Sequence, residues 1–478
     1  MMTSFFQFIE SKVSDKQISI VTAGSFLVAV LMILVPAYLL FGELVAIGIV
    51  SAGIAASLCF ISPTWWIYGV LFSSYFFYAK SSTEESSQPI IFAMAYHLSL
   101  FVWMFSHVWL KKQKLITHWI DLLYLLFLGF LALNGILSYL NDVEFMSWIK
   151  GWQLYLIVLY YYPIREIFKD KNQQNALLMI CAIVILIQGA SNIYQYKIAL
   201  TNFKFASQLF YVGIRQGAAV FTVASLVTIV GIIYTKKTIL RVMLVCFHVF
   251  CFSVLIVSLA RTAWVGYVIG LIIIGLVTKG TYRKHFLIGS LSIGLIIIMV
   301  SSVFLGQYTN TAYNVINKRF SSSAGFATDP SYLSRIYENE VLIKGIIDYP
   351  LGGEGLQKIH KRYDAINRFT VVNTYAHNNY LGSAQKMGLP LAFLFFGILS
   401  TLLIRNWRIS RNTTNSRELF FSVSSLSGLC GLFVINFVGS IFDQREGVFL
   451  MAILFTFSFL ASNQDKDNFL VQKKIIPE

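Results

Sequence analysis

The chain has 478 residues, of which 57% are hydrophobic and only 12% are charged. Soluble domains carry about 25% charged residues, so this composition excludes an ordinary soluble protein and predicts a polytopic membrane protein. The net charge of +15 fits the positive-inside bias of such proteins and affinity for anionic membrane lipids, or else a basic outward surface for an anionic substrate. The positive charge is scattered over short loops, which argues against a nucleic-acid partner.

Hydropathy predicts an all-α polytopic fold of about 12 to 14 transmembrane helices. Residues 1–19 do not resemble a cleavable signal, because the first apolar run is long enough to remain in the membrane. Pro36 and Pro390 should kink or end their helices. The predicted spans lie at 19–40, 43–62, 64–79, 89–109, 119–140, 151–167, 176–197, 216–235, 242–260, 263–278, 286–306, 380–404, 419–441 and 447–462.

The spans divide the chain into N-terminal helices (1–200), central helices (201–306), one large loop (307–379), C-terminal helices (380–462) and a cytoplasmic tail (463–478). The positive-inside rule places the N-terminus in the cytoplasm and the large loop in the periplasm or at the cell exterior. All cysteines lie in apolar runs, so we expect neither a disulfide framework nor a metal site. The basic inner loops are 111–114, 169–171, 235–237, 279–284 and 405–417.

One apolar stretch, 242–278, is too long for a single span: roughly 37 residues make ~55 Å of helix, against a core of ~30 Å. It must turn at Ser258-Leu259-Ala260-Arg261-Thr262, which puts Arg261 at the outward face. Arg261 either reaches lipid headgroups or binds a phosphate bidentately. Arg215, which opens the span at 216–235, is either a flanking anchor or part of an anion site at a helix start.

The large loop has a recognisable order. Asp329-Pro330-Ser331 begins a predicted helix over 331–347, with Arg335 near its start and an apolar side formed by Ile336, Val341, Ile343, Ile346 and Ile347. Pro350 ends this helix, and Gly352-Gly353-Glu354-Gly355 permits positive φ angles or close backbone approach.

His377 lies where the chain re-enters the membrane at the start of the span at 380–404. A neutral imidazole there can act as a general base toward a sugar hydroxyl. The alternative is that His377 caps the helix together with Asn378 and has no chemical role. His97 and His248 fall inside apolar spans and are interpreted as core or interface residues.

These motifs, in this order over residues 205–405, resemble the O-antigen ligase and O-antigen polymerase superfamily of bacterial envelope glycosyltransferases. The resemblance rests on short motifs that share one predicted face of the membrane. They are Arg215-Gln216-Gly217, Ser258-Leu259-Ala260-Arg261-Thr262-Ala263-Trp264, Arg335, Pro350-Leu351-Gly352-Gly353-Glu354-Gly355, His377-Asn378-Asn379-Tyr380-Leu381 and Met387-Gly388-Leu389-Pro390.

The resemblance implies a metal-independent, cofactor-free and inverting enzyme of the lipid-dependent (GT-C-like) glycosyltransferase type in the bacterial inner membrane. Its donor would be a glycan linked to undecaprenyl pyrophosphate. His377 would activate the acceptor hydroxyl, and Arg215 and Arg261 would hold the pyrophosphate as the glycosyl bond breaks. By the same resemblance Arg335, Tyr337, Asn378 and Asn379 are candidate substrate-binding residues.

Polymerase and ligase remain alternatives within this superfamily. A polymerase would use another lipid-linked repeat as acceptor and could have a chain-length regulator as partner, whereas a ligase would use the lipid A core. The number of predicted spans favours the polymerase, but Arg335 with Gly345 or Gly352 fits the polymerase loop motif only loosely.

Two other classes of membrane protein are further alternatives. A lipid-linked oligosaccharide flippase or other transporter would place ionisable groups near the middle of its helices, whereas here they cluster at span ends. A peptidoglycan polymerase of the shape and division family would use an acidic base, for which Asp348 and Glu354 are the candidates.

Overall fold

The computed structural model describes residues 43–78, 88–202, 217–258, 260–280, 282–284, 286, 330–364, 369–374 and 376–462. The predicted span at 19–40, residues 287–306 of the predicted span at 286–306, Pro36 and the tail after residue 462 lie outside these residues. The chain divides into two compact units, which are described separately. Unit 1 comprises Met1–Thr117 and Leu159–Val184, and unit 2 comprises His118–Val158 and Ile185–Glu478.

The described part of the chain is almost entirely helical, as predicted. In chain order the α-helices are α1 Glu43–Ile61, α2 Pro63–Tyr78, α3 Gln88–Phe105, α4 Trp119–Leu140, α5 Phe145–Ile157, α6 Tyr161–Ile167, α7 Lys171–Asn202, α8 Ala218–Tyr234, α9 Thr238–Val257, α10 Arg261–Val277, α11 Pro330–Asp348, α12 Asn379–Asn412, α13 Ser416–Ile435 and α14 Arg445–Leu460. Strands β1 (His360–Asp364) and β2 (Phe369–Asn373) form one antiparallel hairpin within the large loop. This hairpin is the local departure from the expected all-α fold.

Among these helices, five are long and apolar enough to cross a membrane: α4, Lys171–Ile198 of α7, α9, α12 and α13. Shorter apolar helices at Ala218–Tyr234 and Arg261–Val277 add to them. Helix α4 shows the distribution typical of lipid contact, since Leu126, Phe130 and Leu133 are exposed while Asn134 and Ser138 are buried. The protein is therefore a polytopic membrane protein with predominantly helical structure.

Unit 1 is organised around aromatic packing. Helix α1 packs mainly against α3, and the ring of Trp66 on α2 stacks with that of Trp103 on α3. The hydroxyl of Tyr160 donates to the backbone carbonyl of Tyr96 at 2.7 Å, so a polar tip inside the apolar core has a partner.

Unit 2 is organised around α13, which packs against α8, α10, α12 and α14. Close approach is possible because α13 carries small residues where it meets its neighbours. A Cβ atom at Gly266 on α10 would lie 2.8 Å from the carbonyl oxygen of Gly431 on α13. Between α8, α9 and α10, His248 is fully buried, with Nδ1 3.0 Å from Thr228 Oγ1 and Nε2 3.3 Å from the Tyr267 hydroxyl. The interpretation of His248 as a core residue is therefore confirmed.

Helix α12 is interrupted near Pro390, as predicted, but the non-helical residue is Gly388, with φ 80° and ψ 160°. Proline at 390 has no N–H to donate to the carbonyl of Lys386. That carbonyl instead accepts the N–H of Gly355 at 3.0 Å, and the carbonyl of Gln385 accepts that of Glu354 at 2.7 Å. The N–H of Leu389 donates to the carbonyl of Pro350 at 2.9 Å. The turn Pro350-Leu351-Gly352-Gly353-Glu354-Gly355, here named the glycine turn, thus docks on the break.

The docking requires glycine on both sides. Gly353 has φ 70°, and a Cβ atom there would lie 2.5 Å from both Gly388 N and Lys386 O. On its other side the glycine turn contacts α4 and the residue that follows it. Asn134 Nδ2 of α4 donates to the carbonyl of Gly352, and Nδ2 of Asn141, the C-cap of α4, donates to that of Gly353 at 3.3 Å. The expectation of positive φ angles and close backbone approach is confirmed.

Candidate functional site

The starts of α8, α10, α12 and α14 and the end of α13 lie at one end of unit 2, here named the His377 end. Hydrogen bonds that join these helix ends are Thr222 Oγ1 to Ala263 O (3.2 Å), Gly217 N to Glu446 Oε2 (3.0 Å) and Asn379 N to Asn436 O (3.0 Å). At the opposite end of the unit, Lys279 Nζ donates to the carbonyl of Arg411 at 2.8 Å. Arg261 and His377 therefore lie at the same end of unit 2, whereas Lys279 and Arg411, which belong to predicted inner loops, lie at the opposite end.

His377 is not the residue that caps α12. The cap is Asn378, whose Oδ1 accepts the backbone N–H groups of Tyr380 at 3.1 Å and Leu381 at 3.3 Å. A side-chain oxygen in this position satisfies backbone donors that have no partner within the helix. The capping alternative is therefore confirmed for Asn378 and wrong for His377, whose imidazole is 30% exposed and contacts Glu338 instead.

The imidazole of His377 is held by Glu338 of α11. Nδ1 lies 3.0 Å from Oε2 and 3.3 Å from Oε1 of this carboxylate, and the backbone N–H of His377 donates to Oε2 at 3.0 Å. The Glu338 side chain is fully buried. Helix α11 and the segment before α12 are thereby joined at the histidine itself.

Helix α11 exists as predicted, but its apolar side is not the side that is buried. Ile343 and Ile347 are 46% and 71% exposed, whereas Ser334, Glu338, Leu342 and Gly345 form the buried face. In a membrane protein apolar side chains also cover surfaces that do not face the protein core, so hydrophobicity did not identify the packing face. The spacing of Ser334, Glu338 and Leu342 by four residues was the available signal.

The candidate substrate-binding residues are placed differently from one another. Tyr337 is 43% exposed and Arg335 is half-buried on α11. Asn379 is fully buried, and its Nδ2 donates to Asn436 Oδ1 at 2.8 Å while its Oδ1 accepts from Ser383 at 3.3 Å. This geometry gives Asn379 a structural role, and its substrate contact is a prediction without geometric support.

Of the two predicted arginines, Arg261 lies within the described residues, at the start of a helix. Arg261 is half-buried and is the first residue of α10, so the expected turn between two helices is confirmed. Arg215 lies outside the described residues, but Gly217, two residues later, begins α8 as its N-cap with φ 79°. The Gly217 N–H donates to Glu446, a buried carboxylate that the sequence did not single out.

Further buried polar groups lie beside the break in α12. Lys386 Nζ is 2.6 Å from Asp443 Oδ2, with 3% and 8% of the two side chains exposed, and Tyr155 donates its hydroxyl to Asp443 Oδ1 at 2.9 Å. Glu354, a candidate base for the peptidoglycan-polymerase alternative, accepts from Gln385 Nε2 at 2.8 Å. The bond between Gln385 and Glu354 supports the docked glycine turn. Within the residues that the structure describes, no group of three His, Cys, Asp or Glu side chains could hold a metal ion.

No curated protein matches the chain. A family model described as O-antigen ligase matches residues 246–396, the segment that holds Arg261, Arg335, Glu338, the glycine turn and His377. The match supports a function of the O-antigen ligase or polymerase type. Residues 246–396 are therefore similar to the O-antigen ligase family, and the resemblance to the O-antigen ligase and polymerase superfamily is confirmed over this part of the chain.

Proposed function

We propose that the protein transfers a glycan from undecaprenyl pyrophosphate to the hydroxyl group of an acceptor sugar, with the site at the His377 end facing the periplasm or cell exterior. The acceptor is another lipid-linked repeat unit, so the product is a polymer for O-antigen, capsule or exopolysaccharide. The observation that carries this proposal is the placement of His377. It lies part-exposed beside a buried carboxylate, at the end of the bundle where α10 begins with Arg261, while Asn378 performs the capping.

In the proposed reaction His377 takes the proton of the acceptor hydroxyl, and the hydroxyl oxygen attacks the anomeric carbon. The bond from this carbon to the pyrophosphate oxygen breaks, and its electron pair leaves with the pyrophosphate. Arg261 and Arg215 stabilise the charge that develops on this leaving group, because guanidinium groups bind phosphate oxygens bidentately. Attack from the face opposite to the leaving group inverts the anomeric configuration. Arg335 and Tyr337 orient the glycan.

The second candidate is a ligase that transfers the finished glycan to the lipid A core, and the description of the matching family favours it. The polymerase is preferred because the sequence predicts more spans than ligases usually have. The two reactions share their donor and chemistry and differ in the acceptor.

The test is deletion in the native host, followed by gel analysis of surface polysaccharide and of undecaprenyl-linked glycan. Single repeats on the lipid A core indicate a lost polymerase, and long chains that remain on undecaprenyl pyrophosphate indicate a lost ligase. The deletion strain is then complemented with His377→Ala and, as a matched control from the same loop, His360→Ala. We expect His360→Ala to restore the glycan and His377→Ala to fail at equal protein level. Normal glycan with His377→Ala would refute the assignment of His377 as the base.

A further inference from the structure

The carboxylate of Glu338 contacts the imidazole of His377, a side chain that solvent could otherwise hydrate. Its Oε2 atom lies 3.0 Å from both the backbone nitrogen and Nδ1 of His377. The backbone N–H orients the carboxylate, and the carboxylate orients the ring. Both contacts come from a helix 39 residues earlier in the chain, so they are features of the tertiary structure.

This contact determines which ring nitrogen can act as a base. An ionised carboxylate is only an acceptor, whereas a neutral imidazole has one N–H and one lone pair. Because Nδ1 faces the carboxylate, the proton lies on Nδ1 and the lone pair lies on Nε2. When Nε2 takes a proton, the ring becomes positively charged beside a fixed negative charge, which stabilises it.

The burial of Glu338 argues that the carboxylate has a chemical purpose. A carboxylate without exposure is costly unless it is paired, and a neutral side chain could join α11 to α12 at lower cost. Here it lies on the buried face of α11, one helical turn from Ser334 and Leu342. By contrast, the carboxylate of Glu340 on the same helix is exposed to solvent.

We infer that Glu338 is a positioning residue for His377, and that Nε2 of His377 is the atom that receives the proton of the acceptor hydroxyl. This inference rests on the proposed function. In the step, the hydroxyl proton moves to Nε2, the Nδ1 proton stays in place, and Glu338 remains ionised. The electron pair of the hydroxyl oxygen forms the new glycosidic bond, and the pyrophosphate leaves with the pair of the broken bond.

The experiment measures initial transfer rates with purified full-length protein and lipid-linked glycan extracted from the deletion strain. The variants are Glu338→Ala, Glu338→Gln, His377→Ala and the double variant Glu338→Ala/His377→Ala, with Glu340→Ala as the control. We expect Glu338→Ala to lower kcat by roughly 10²- to 10⁴-fold, the range typical of general base catalysis, with KM for the donor little changed. Glu338→Gln should lower kcat less, because the amide oxygen of glutamine can still accept the hydrogen bond from Nδ1–H.

The double variant separates positioning from a structural role. If Glu338 acts through His377, its removal causes no further loss once His377 is absent. A further tenfold loss in that background, or wild-type kcat in Glu338→Ala, overturns the inference. If Glu338→Ala does not fold, the test relies on Glu338→Gln. This near-isosteric variant lacks the negative charge beside His377, so wild-type kcat in it also overturns the inference. Activity in His377→Ala refutes the proposed function instead, so the two failures are distinguishable.

Discussion

Substitution of Gly353 by alanine tests whether the glycine turn must dock on the break in α12. Gly353 has φ 70°, and an L-residue in the left-handed region costs about 1–2 kcal/mol. The added Cβ would also lie 2.5 Å from backbone atoms of Lys386 and Gly388. Those atoms cannot rotate away as a side chain can, and overpacking of this kind costs about 1–3 kcal/mol.

Together these contributions predict that Gly353→Ala weakens docking by about 2–5 kcal/mol, or roughly 30-fold to several thousand-fold in the docked population. The assay is hydrogen–deuterium exchange of the purified protein. The amides of Glu354 and Gly355, which donate to carbonyls of α12, report directly on docking. We expect their exchange to accelerate by this factor, and activity to fall because the turn adjoins the segment that begins at His377.

The control is Gly397→Ala in the same helix, where an added Cβ meets no atom within 4 Å. Alanine is also favoured over glycine in a helix interior by about 0.5–1 kcal/mol. In this variant the amides of Glu354 and Gly355 should exchange at the wild-type rate or more slowly. If Gly353→Ala and Gly397→Ala exchange alike at Glu354 and Gly355, the reasoning about close backbone approach is refuted.

Other contacts give predictions for thermal unfolding of the purified protein. Lys386→Met should lower the free energy of unfolding by about 3–5 kcal/mol, because it leaves Asp443 buried without its cation. The double variant Lys386→Met/Asp443→Leu should recover much of this loss. Equal melting temperatures of the two variants would contradict the stabilising role of the buried pair. Asn378→Ala should cost about 1 kcal/mol while Asn378→Asp retains the cap, and equal losses in both would contradict the capping assignment. Glu446→Leu should cost about 1–3 kcal/mol by leaving the Gly217 N–H unpaired, whereas Glu446→Gln keeps an acceptor; a stable Glu446→Leu variant would argue that this bond is dispensable.

The sequence alone determined the features that depend on local composition. Most apolar windows that the structure describes correspond to helices, because roughly twenty apolar residues both span a bilayer and satisfy their backbone groups as a helix. The predicted span at 151–167 is an exception, since it is divided between α5, which ends at Ile157, and α6, which begins at Tyr161. The turn at Arg261 followed from length alone, since a single helix over 242–278 would exceed the membrane. The helix that carries Arg335 followed from its start signal.

The tertiary structure decided which residues meet. Glu338 was passed over because a carboxylate in a polar loop normally faces water, and only the packing of α11 against α12 shows that it is buried on His377. Asn379 looked available for substrate, but Asn436 of α13 engages it. The glycine turn was weak evidence until its partner at Gly388 was known. In a membrane protein both the lipid-facing and the buried surfaces are apolar, so hydropathy locates helices but does not determine which faces contact each other.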